Sequence, residues 1–537
     1  MNKNVKLTVY ADHIRNKISK NIFGHFMEHS ADVIYGSVYD PESRFADEDG
    51  FRKDVLEVLK EVQVPMLRYP GGNFVSNYHW EDGIGPKEKR PKVFDYAWLA
   101  EDDNRMGTVE FIKLCEKTGA EPYLCVNMGS GTAEEAMHWV EFCNGTGDTK
   151  YANMRRELGY EEPFHVKYWG LGNEMYGDWQ FGACSAEEYA KKALDFAKAM
   201  KWMDPSIELV ACGYDLGSDW NYEVARVLKP LISHIAIHHY SIGYDIFKEE
   251  DYNQCMYIPD YLTKLTNVAK ASIVAGTNDA LTDIKVAWDE WNTHAWNFEK
   301  DKNDCNYTLK NTILTAGILH SFIRSSDVVE IASYSPFVNV CGAIVTDAEG
   351  VLKRAQYYVF ELFSKVFRQC DGYVETHMEG ETYSLPEVID YSNRKAEAKF
   401  ALDAKSAQRI VKTNYIDCVA AINDNHSRMS ISLINKNSED GYEVELSVLG
   451  SKVQWNTGKC YQIYHDDFEA YNTRENPENV SVKEAEGILN GQNIHLNPHS
   501  ITVIVVELEK YINDKNGKNK EWLCKGVCSS RSQNYIL

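Results

Sequence analysis

Two glutamates follow or end apolar runs that also carry glycine and tryptophan. Glu174 comes directly after Asn173 in the run YWGLGNEMYG, and Glu290 lies between Trp288 and Trp291 in VAWDEWN. A carboxyl group among apolar rings has its charged form disfavoured, which is how one member of a pair becomes a proton donor near neutral pH. Two carboxyl groups that face each other across one bond can cleave a glycosidic linkage.

Eight β-rich apolar runs alternate with longer amphipathic segments between about residues 18 and 370. The runs span residues 21–29, 64–70, 121–127, 165–173, 207–213, 232–240, 284–292 and 328–335. Strand–helix alternation of this kind predicts an α/β protein with a parallel sheet. Eight units favour closure into a (β/α)8 TIM barrel, with a doubly wound open sheet as the competing architecture.

The carboxyl ends of the strands in a closed barrel meet at one mouth, so polar residues at those ends are candidate functional residues. Glu174 follows the fourth predicted strand and Glu290 ends the seventh, so closure would bring them together. The other polar strand-end residues are Glu28, His29, Asn73, Asn127, Asn173, Asp215, His238, His239, Tyr240, Asp289 and Asn339. Strand counting alone does not decide between a catalytic pair and two ordinary strand-end glutamates.

Beyond about residue 375 the sequence changes to short alternating stretches broken by turn residues, which is typical of a β-sandwich. The opening residues 1–17 alternate in the same way and can add a strand to that sandwich. We therefore predict a catalytic barrel over residues 18–372 and a sandwich formed by residues 1–17 together with 373–510. The polar, lysine-rich residues 511–537 predict a loosely ordered tail.

The composition argues against several classes of partner. A net charge of −23 on 537 residues argues against nucleic acid, whose binding requires clustered basic residues, and favours a neutral substrate. We find no apolar run of signal-peptide or membrane-span length, so we expect a cytoplasmic protein with no membrane partner. The 13 cysteines are odd in number and scattered through apolar stretches, which indicates reduced core thiols.

Six segments, taken in order, resemble glycoside hydrolase family 51, the α-L-arabinofuranosidases. They are NIFGHFMEHS, MLRYPGGNFVSNYHWEDGIGP, EFCNGTGDT, VKYWGLGNEMYGDWQFG, IHHY and DEWN. The resemblance covers about residues 5–370, and the C-terminal part agrees in kind. It implies a (β/α)8 barrel with a jelly-roll-like β-sandwich, a retaining mechanism and a homo-oligomer, commonly a hexamer. We expect neither a metal nor another cofactor.

The resemblance also implies roles for individual residues. It makes Glu174 the acid/base and Glu290 the nucleophile, in agreement with their positions at strand ends. The predicted substrate-binding residues are Glu28, Asn73, Asn173, His238, Tyr240, Trp291 and Arg354. The first three are expected to contact sugar hydroxyls, and the next two are expected to lie near the nucleophile.

Several departures from the family pattern bear on which sugar is bound. A glutamine that contacts the sugar is usual near the last barrel helix, whereas Arg354 stands there, with Gln356 two residues further on. The stretch EHSADV replaces an EHLG-like sequence, and THAWNFEK follows DEWN where a Trp-Tyr pair is expected. We predict removal of terminal α-L-arabinofuranosyl residues from arabino-oligosaccharides, arabinan or arabinoxylan fragments. The same fold and mechanism acting on another furanoside, a β-glucan or a xyloside stays open.

Two other classes of protein compete with this hypothesis. His25, Glu28 and His29 form the H-x-x-E-H spacing of zinc ligands. We expect a β-strand here, where residues four apart lie about 13 Å from each other, too far to share one zinc ion. A non-catalytic carbohydrate-binding protein would need one carboxyl group to be lost, and both are present.

Overall fold

The computed structural model describes residues 3–215, 218–243, 247–297, 304–386 and 410–509, so the predicted tail over 511–537 lies outside the described residues. The strands up to residue 353 are β1 (Lys3–Lys17), β2 (Gly24–Phe26), β3 (Met66–Tyr69), β4 (Val93–Asp95), β5 (Ala100–Asp102), β6 (Glu121–Val126), β7 (Tyr168–Leu171), β8 (Glu208–Cys212), β9 (His234–Ile242), β10 (Lys285–His294), β11 (Val329–Tyr334), β12 (Ile344–Thr346) and β13 (Val351–Lys353). The helices are α1 (Lys53–Glu61), α2 (Thr108–Thr118), α3 (Ala133–Asn144), α4 (Lys150–Glu157), α5 (Ala186–Met203), α6 (Ser218–Leu228), α7 (Tyr252–Cys255), α8 (Ile258–Thr277), α9 (Leu309–Arg324) and α10 (Tyr357–Val366).

Eight parallel strands close into a barrel in the order β2, β3, β6, β7, β8, β9, β10 and β11, with β11 pairing back to β2. Each of the eight predicted apolar runs overlaps one of these strands, and β9 and β10 each extend two residues beyond their runs, so the TIM-barrel prediction is confirmed. A layer of inward side chains fills the barrel and supports the mouth above it. This layer consists of Met66, Tyr123, Tyr168, Val210, Ala236, Ala287 and Ile331.

Local sequence signals set the helix ends around the barrel. At the start of α5, Ser185 Oγ accepts from the Glu188 backbone N–H (3.3 Å), and the Glu188 carboxylate accepts from the Ser185 N–H (2.9 Å). This reciprocal capping box satisfies two backbone donors that the first helical turn leaves unpaired. At the end of α2, Gly119 takes a left-handed conformation with φ of 76°, which glycine adopts without steric cost.

A second sheet contains β1 and most of the C-terminal strands. The further strands are β14 (Gly372–Glu379), β15 (Thr382–Pro386), β16 (Ile410–Asn414), β17 (Ile416–Ile422), β18 (Arg428–Asn435), β19 (Tyr442–Leu449), β20 (Lys452–Ile463), β21 (Val482–Glu484), β22 (Leu489–Asn490), β23 (Asn493–Leu496) and β24 (Ser500–Glu509). Ten strands are hydrogen bonded in the order β21, β20, β24, β18, β17, β14, β1, β19, β23 and β22. Strand β1 pairs antiparallel with β14 and parallel with β19.

The two faces of this sheet pack against different partners. One face encloses a core of its own, to which Val5, Leu7, Ile431 and Val444 contribute. The sheet therefore curves around its own apolar side chains. The two layers of the predicted β-sandwich are parts of one continuous hydrogen-bonded sheet. Alternate apolar residues of β17, β18 and β24, among them Val419, Ile434 and Val503, join the core around the barrel. On β18 the same face also presents Ser430 and Ser432, which bond Val366 and His320.

Candidate active site

Strand β10 contains a β-bulge that turns two successive carboxyl groups toward the barrel interior. Its ladder to β9 advances three residues along β10, from Ala287 to Glu290, for two residues along β9. Asp289 and Glu290 consequently both point inward and both pair with the buried Arg68 side chain. Bulges of this kind re-aim side chains beside active sites.

The bulge leaves Trp288 and Trp291 on the side of β10 that faces the helices. Trp288 Nε1 donates to Thr266 Oγ1 on α8 (3.0 Å), and the Trp291 ring packs against Phe322 on α9. Both indoles are 0% exposed. The structure therefore corrects two expectations: these rings do not surround the Glu290 carboxylate, and Trp291 is separated from the mouth by its own strand.

Arg68 on β3 connects three polar groups of the site. Its Nη1 donates to Glu290 Oε1 (2.7 Å), its Nη2 donates to Asn173 Oδ1 (2.8 Å), and its Nε lies 3.1 Å from Asp289 Oδ2. The side chain is 1% exposed. Sequence reasoning missed this residue, although a lone arginine within the apolar run VPMLRYP was a usable signal, because a buried charge requires partners.

His238 on β9 lies among three carboxyl groups. Its Nδ1 is 3.0 Å from Glu174 Oε1 and 3.6 Å from Glu290 Oε2, and its Nε2 is 2.9 Å from Asp289 Oδ1. Burial alone would lower the pKa of His238, but the charges of Glu290 and Asp289 raise it well above its ordinary value. The imidazole is therefore a cation that donates from both nitrogens. The next residue, His239, turns away and bonds Asp215 (2.9 Å).

Glu174 follows β7 and faces Glu290 across the mouth. Its backbone takes a left-handed conformation, with φ of 43°. Trp179 Nε1 donates to Glu174 Oε2 (2.8 Å), and the Tyr176 hydroxyl donates to Oε1 (3.3 Å). One oxygen of Glu174 and one of Glu290 lie within 4.8 Å of each other. The structure thus brings the predicted pair together.

The buried carboxyl groups differ in how readily they ionise. Burial alone would raise the pKa of Asp289, but the charges of Arg68 and His238 lower it to about 2. Burial raises the pKa of Glu290 against the opposing charges of His238 and Arg68. Burial acts in the same direction on Glu174, but the hydrogen bond and charge of His238 hold the pKa of Glu174 below its ordinary value. Two carboxyl groups this close titrate as a pair.

Glu28 lies beside this pair and above the glycine turn that follows β3. Its Oε1 accepts from the Phe74 backbone N–H (2.9 Å) and from Trp98 Nε1 (3.1 Å). Burial and the charge of Glu290 raise the pKa of Glu28 to about 8, so it holds a proton at neutral pH. A Cβ on Gly72 would lie 3.0 Å from Glu290 Oε1, so glycine keeps space open beside the carboxylate.

The remaining predicted contacts of the mouth are also brought to the pair. The Tyr240 hydroxyl donates to Glu290 Oε2 (2.9 Å), so both oxygens of that carboxylate have donors. Asn173 donates from Nδ2 to Gln180 Oε1 (3.4 Å), which sequence reasoning did not single out. Asn73 begins a 3-10 turn that ends at Asn77 and is half-buried at the edge of the site.

Arg354 and Gln356 occupy different environments at the start of α10. The Arg354 side chain is 2% exposed and donates to Asp304 Oδ1 (3.0 Å) and to the carbonyl oxygens of Val340 (2.7 Å) and Gly342 (3.1 Å). Its guanidinium stacks over the Tyr307 ring at 3.7 Å. Gln356 is 0% exposed, and within the described structure both polar atoms of its amide are without a hydrogen-bond partner.

One cluster of the site and the H-x-x-E-H motif raise the question of a metal ion. Glu174, His238 and Glu290 present ligand atoms within 4.8 Å of one another. Both nitrogens of His238 already lie within hydrogen-bond distance of carboxylates, Nδ1 of Glu174 and Nε2 of Asp289, so this trio fits proton sharing better than metal binding. Among the described residues, the H-x-x-E-H trio does not form a group close enough to hold an ion. His25 of that trio instead stacks on Phe337 with ring centroids 4.0 Å apart.

A closed (β/α)8 barrel whose mouth holds two facing glutamates defines a protein of the glycoside hydrolase class. Two family models match the chain: an α-L-arabinofuranosidase domain over residues 58–254 and an α-L-arabinofuranosidase C-terminal domain over residues 289–500. The chain belongs to the α-L-arabinofuranosidases of glycoside hydrolase family 51.

Relatives of known name match over most of the chain. The chain is 32% identical to the intracellular exo-α-(1→5)-L-arabinofuranosidase 1 of Bacillus subtilis, over 94% of this chain and 99% of that protein. It is 38% identical to the Thermotoga maritima α-L-arabinofuranosidase solved as an arabinose complex, with a TM-score of 0.82 over 94% of this chain and 100% of that one. The GH51 enzyme of Thermotoga petrophila matches at 37% identity and a TM-score of 0.82, over 94% and 100%.

Proposed function

We propose that the protein is a retaining, exo-acting α-L-arabinofuranosidase that removes terminal non-reducing α-L-arabinofuranosyl residues. Glu174 is the acid/base and Glu290 is the nucleophile. The observation that carries this proposal is the approach of these two carboxyl groups to within 4.8 Å at the barrel mouth. Retaining glycosidases need about 5 to 5.5 Å between their carboxyl groups, whereas inverting enzymes keep about 6.5 to 9.5 Å for a water molecule.

The surroundings of the two glutamates support different roles. Glu290 accepts from the Arg68 guanidinium and the Tyr240 hydroxyl, which aim its oxygens and stabilise its charge for attack on the anomeric carbon. Glu174 accepts on Oε2 from Trp179, whose side chain is 59% exposed. A leaving-group oxygen can therefore reach Glu174 by displacing a surface ring, which suits a proton donor.

The protons must redistribute when the sugar binds. Burial favours a proton on Glu290, whereas cleavage needs a proton on Glu174 and a charge on Glu290. Arg68 and His238 supply two positive charges, and Asp289 supplies one negative charge. One ionised carboxylate of Glu174 and Glu290 therefore makes the cluster neutral, and the other carboxyl group stays protonated. His238 Nδ1 lies between Glu174 and Glu290. It can therefore give its proton to Glu174 and take up the proton that Glu290 releases.

Four side chains are proposed to hold the terminal sugar. Protonated Glu28 can donate to one sugar hydroxyl, and the amides of Asn173 and Asn73 can bond others. Hydrogen bonds to the 2-OH strengthen in the oxocarbenium-like transition state and contribute to catalysis. Gln356 is proposed as the sugar contact for which Arg354 was predicted, because its buried amide lacks partners while the Arg354 guanidinium is held by protein oxygens.

Location and assembly remain proposals. No helix within the described residues is long and apolar enough to cross a membrane. We propose a cytoplasmic enzyme, supported by the intracellular Bacillus subtilis relative. Assembly as a hexamer is proposed from the family resemblance, and sedimentation velocity would test it.

The proposed activity is tested with a panel of aryl glycosides: α-L-arabinofuranoside, β-D-galactofuranoside, β-D-xyloside and β-D-glucoside. We expect the arabinofuranoside to be cleaved fastest, with NMR showing the α-anomer of arabinose formed first. First release of the β-anomer would show inversion, and a faster rate on another glycoside would reassign the sugar. Binding of arabino-oligosaccharides without cleavage of any glycoside would favour the carbohydrate-binding alternative.

A further inference from the structure

An open cleft of about 760 Å³ lies beside the proposed catalytic pocket. It is lined by three segments: the turn after β3, the tip of the hairpin between β4 and β5, and the loop that follows Glu174. Three aromatic side chains of this lining are unusually exposed: Tyr96 at 68%, Trp179 at 59% and Phe181 at 61%. Exposed apolar rings that share one concave surface are characteristic of a binding site.

The cleft continues directly from the proposed acid/base. Its wall residue Trp179 donates to Glu174, and its wall residue Gln180 bonds Asn173. Since Glu174 protonates the leaving oxygen, a cleft that begins at Glu174 extends along the leaving-group side of the scissile bond. Tyr96 and Phe181 line the same cleft without a described hydrogen bond to the pair, and we call these two rings the distal platform.

The chemistry of the lining fits a neutral chain of sugars. Asn73 and Asn77 offer amides, while Asp178 is the one carboxylate among the lining residues. The buried Gln180 amide and Ser76 hydroxyl bond each other in the wall of the cleft. At roughly 30 Å³ for each water-sized group, the nine heavy atoms of a pentosyl unit need at most about 300 Å³. A cleft of about 760 Å³ therefore has room for two such units.

We propose that this cleft binds at least two sugar units of the leaving group, with the distal platform of Tyr96 and Phe181 packing against the second unit. This inference rests on the proposed function and extends it. It makes the preferred substrate an oligosaccharide or a polymer end with two or more further sugars, and it excludes a small glycoside as the natural substrate.

Tyr96→Ala and Phe181→Ala, singly and together, test the distal platform. The measured quantity is the ratio of kcat/KM for α-(1→5)-linked arabinotriose to kcat/KM for 4-nitrophenyl α-L-arabinofuranoside, whose leaving group is a single ring and has no second unit. We expect each variant to lower this ratio about tenfold, the loss that follows from removing one buried aromatic face. The double variant should lower it further.

Leu99→Ala is the matched control, because Leu99 is 74% exposed on the same hairpin and does not line the cleft. It should keep the wild-type ratio. A wild-type ratio in the double variant would overturn the inference. So would a change of oligomeric state in the platform variants, since it would assign these rings to contact with a second copy of the chain.

Failure of the proposed function is distinguishable from failure of the cleft. A wild-type enzyme that cleaves neither substrate rejects the proposed function. The cleft is then judged by calorimetric binding of arabinotriose, which each platform variant must weaken about tenfold. Equal affinity in the wild type and the double variant would overturn the inference in that case as well.

Discussion

Arg68 supports the proposed nucleophile more directly than any other described cation, because its Nη1 lies 2.7 Å from Glu290 Oε1. The same guanidinium lies 3.1 Å from Asp289 Oδ2. Removing one partner from a buried ionic cluster leaves the remaining charges without a counter-charge. This lowers the free energy of unfolding by about 3 to 5 kcal/mol. The role of Arg68 is therefore electrostatic as well as structural.

Arg68→Met should lower the free energy of unfolding by about 3 kcal/mol and move the acidic limb of the kcat/KM profile to higher pH. Attack requires ionised Glu290, so the rate falls as the pH drops through the pKa of that carboxyl group. Loss of the neighbouring positive charge raises this pKa, and the limb moves upward with it. Chemical denaturation and a pH–rate profile on an aryl arabinofuranoside measure the two effects.

Arg52→Met provides the control for Arg68→Met. Arg52 is likewise buried, at 2% exposed, and pairs with Asp54 at 2.7 Å, but it lies outside the site. We expect it to destabilise the fold while leaving the acidic limb in place. An unchanged limb in Arg68→Met would contradict the charge balance proposed for the site.

At the scale of single residues, the sequence supplied the polar side chains at strand ends but not their partners. Glu174, Glu290, His238 and Tyr240 follow apolar runs, so the barrel rule was enough to select them. Arg68 lies inside such a run, and its orientation depends on the register of β3 against its neighbours, which is a long-range property. The expectation that Trp288 lies beside the Glu290 carboxylate failed because the bulge interrupts alternation along β10. Trp291 lies on the face opposite Glu290, as successive residues of a strand do.

At the scale of elements, the turn after β3 determines how closely the backbone approaches the carboxylates. A Cβ at position 72 would lie 3.0 Å from Glu290 Oε1 and 3.4 Å from Asn173 Nδ2. No left-handed backbone is required of Gly72, whose φ is −85°. The constraint on this residue is therefore space within the site.

Gly72→Ala should lower kcat/KM at least tenfold, because the added methyl group displaces the nucleophile. The melting temperature reports separately on the effect of the change on the fold. Gly147→Ala is the matched control, since a Cβ there would meet Thr149 Cγ2 at an ordinary 3.4 Å. Steady-state kinetics and thermal melts of both variants measure the effects. Equal activity of the two variants would show that the turn does not constrain the site.

The existence of the eight barrel strands was predictable because buried parallel strands form continuous apolar runs. The hairpin of β4 and β5 was not predicted, since its strands are three residues each. It nevertheless supplies Trp98, which donates to Glu28. Short elements whose apolar residues are partly exposed leave little periodic signal in the sequence.

At the scale of the whole molecule, a partly buried ionic cluster joins the barrel to the second sheet. Arg324 Nη1 on α9 donates to Asp417 Oδ1 on β17 (2.6 Å), and His320 Nδ1 lies 3.1 Å from Asp417 Oδ2. His320 Nε2 lies 2.7 Å from Ser432 Oγ on β18. Burial alone would raise the pKa of Asp417, but Arg324 and His320 hold it well below its ordinary value.

Asp417→Ala should lower the free energy of unfolding by about 3 kcal/mol at neutral pH. The Asp417 carboxylate stabilises the fold above its unfolded pKa of about 3.9, and this contribution is lost as the pH falls below that value. The difference between wild type and variant should therefore shrink in acid. Glu509→Ala, which removes the exposed partner of Lys452, should cost less than about 1 kcal/mol. If the free energy of unfolding lost in Asp417→Ala does not change with pH, the ionic role proposed for Asp417 is contradicted.

The roles of Glu174 and Glu290 are tested most directly by the configuration of the glycosyl azide that each alanine variant forms from an aryl α-L-arabinofuranoside. Without Glu174, azide should attack the covalent intermediate on Glu290 and give the α-arabinofuranosyl azide. Without Glu290, azide should occupy the vacated side and give the β-azide. NMR of the two products decides: α from Glu174→Ala and β from Glu290→Ala support the assignment, and the reverse pairing or unimpaired hydrolysis of unactivated substrate would contradict it.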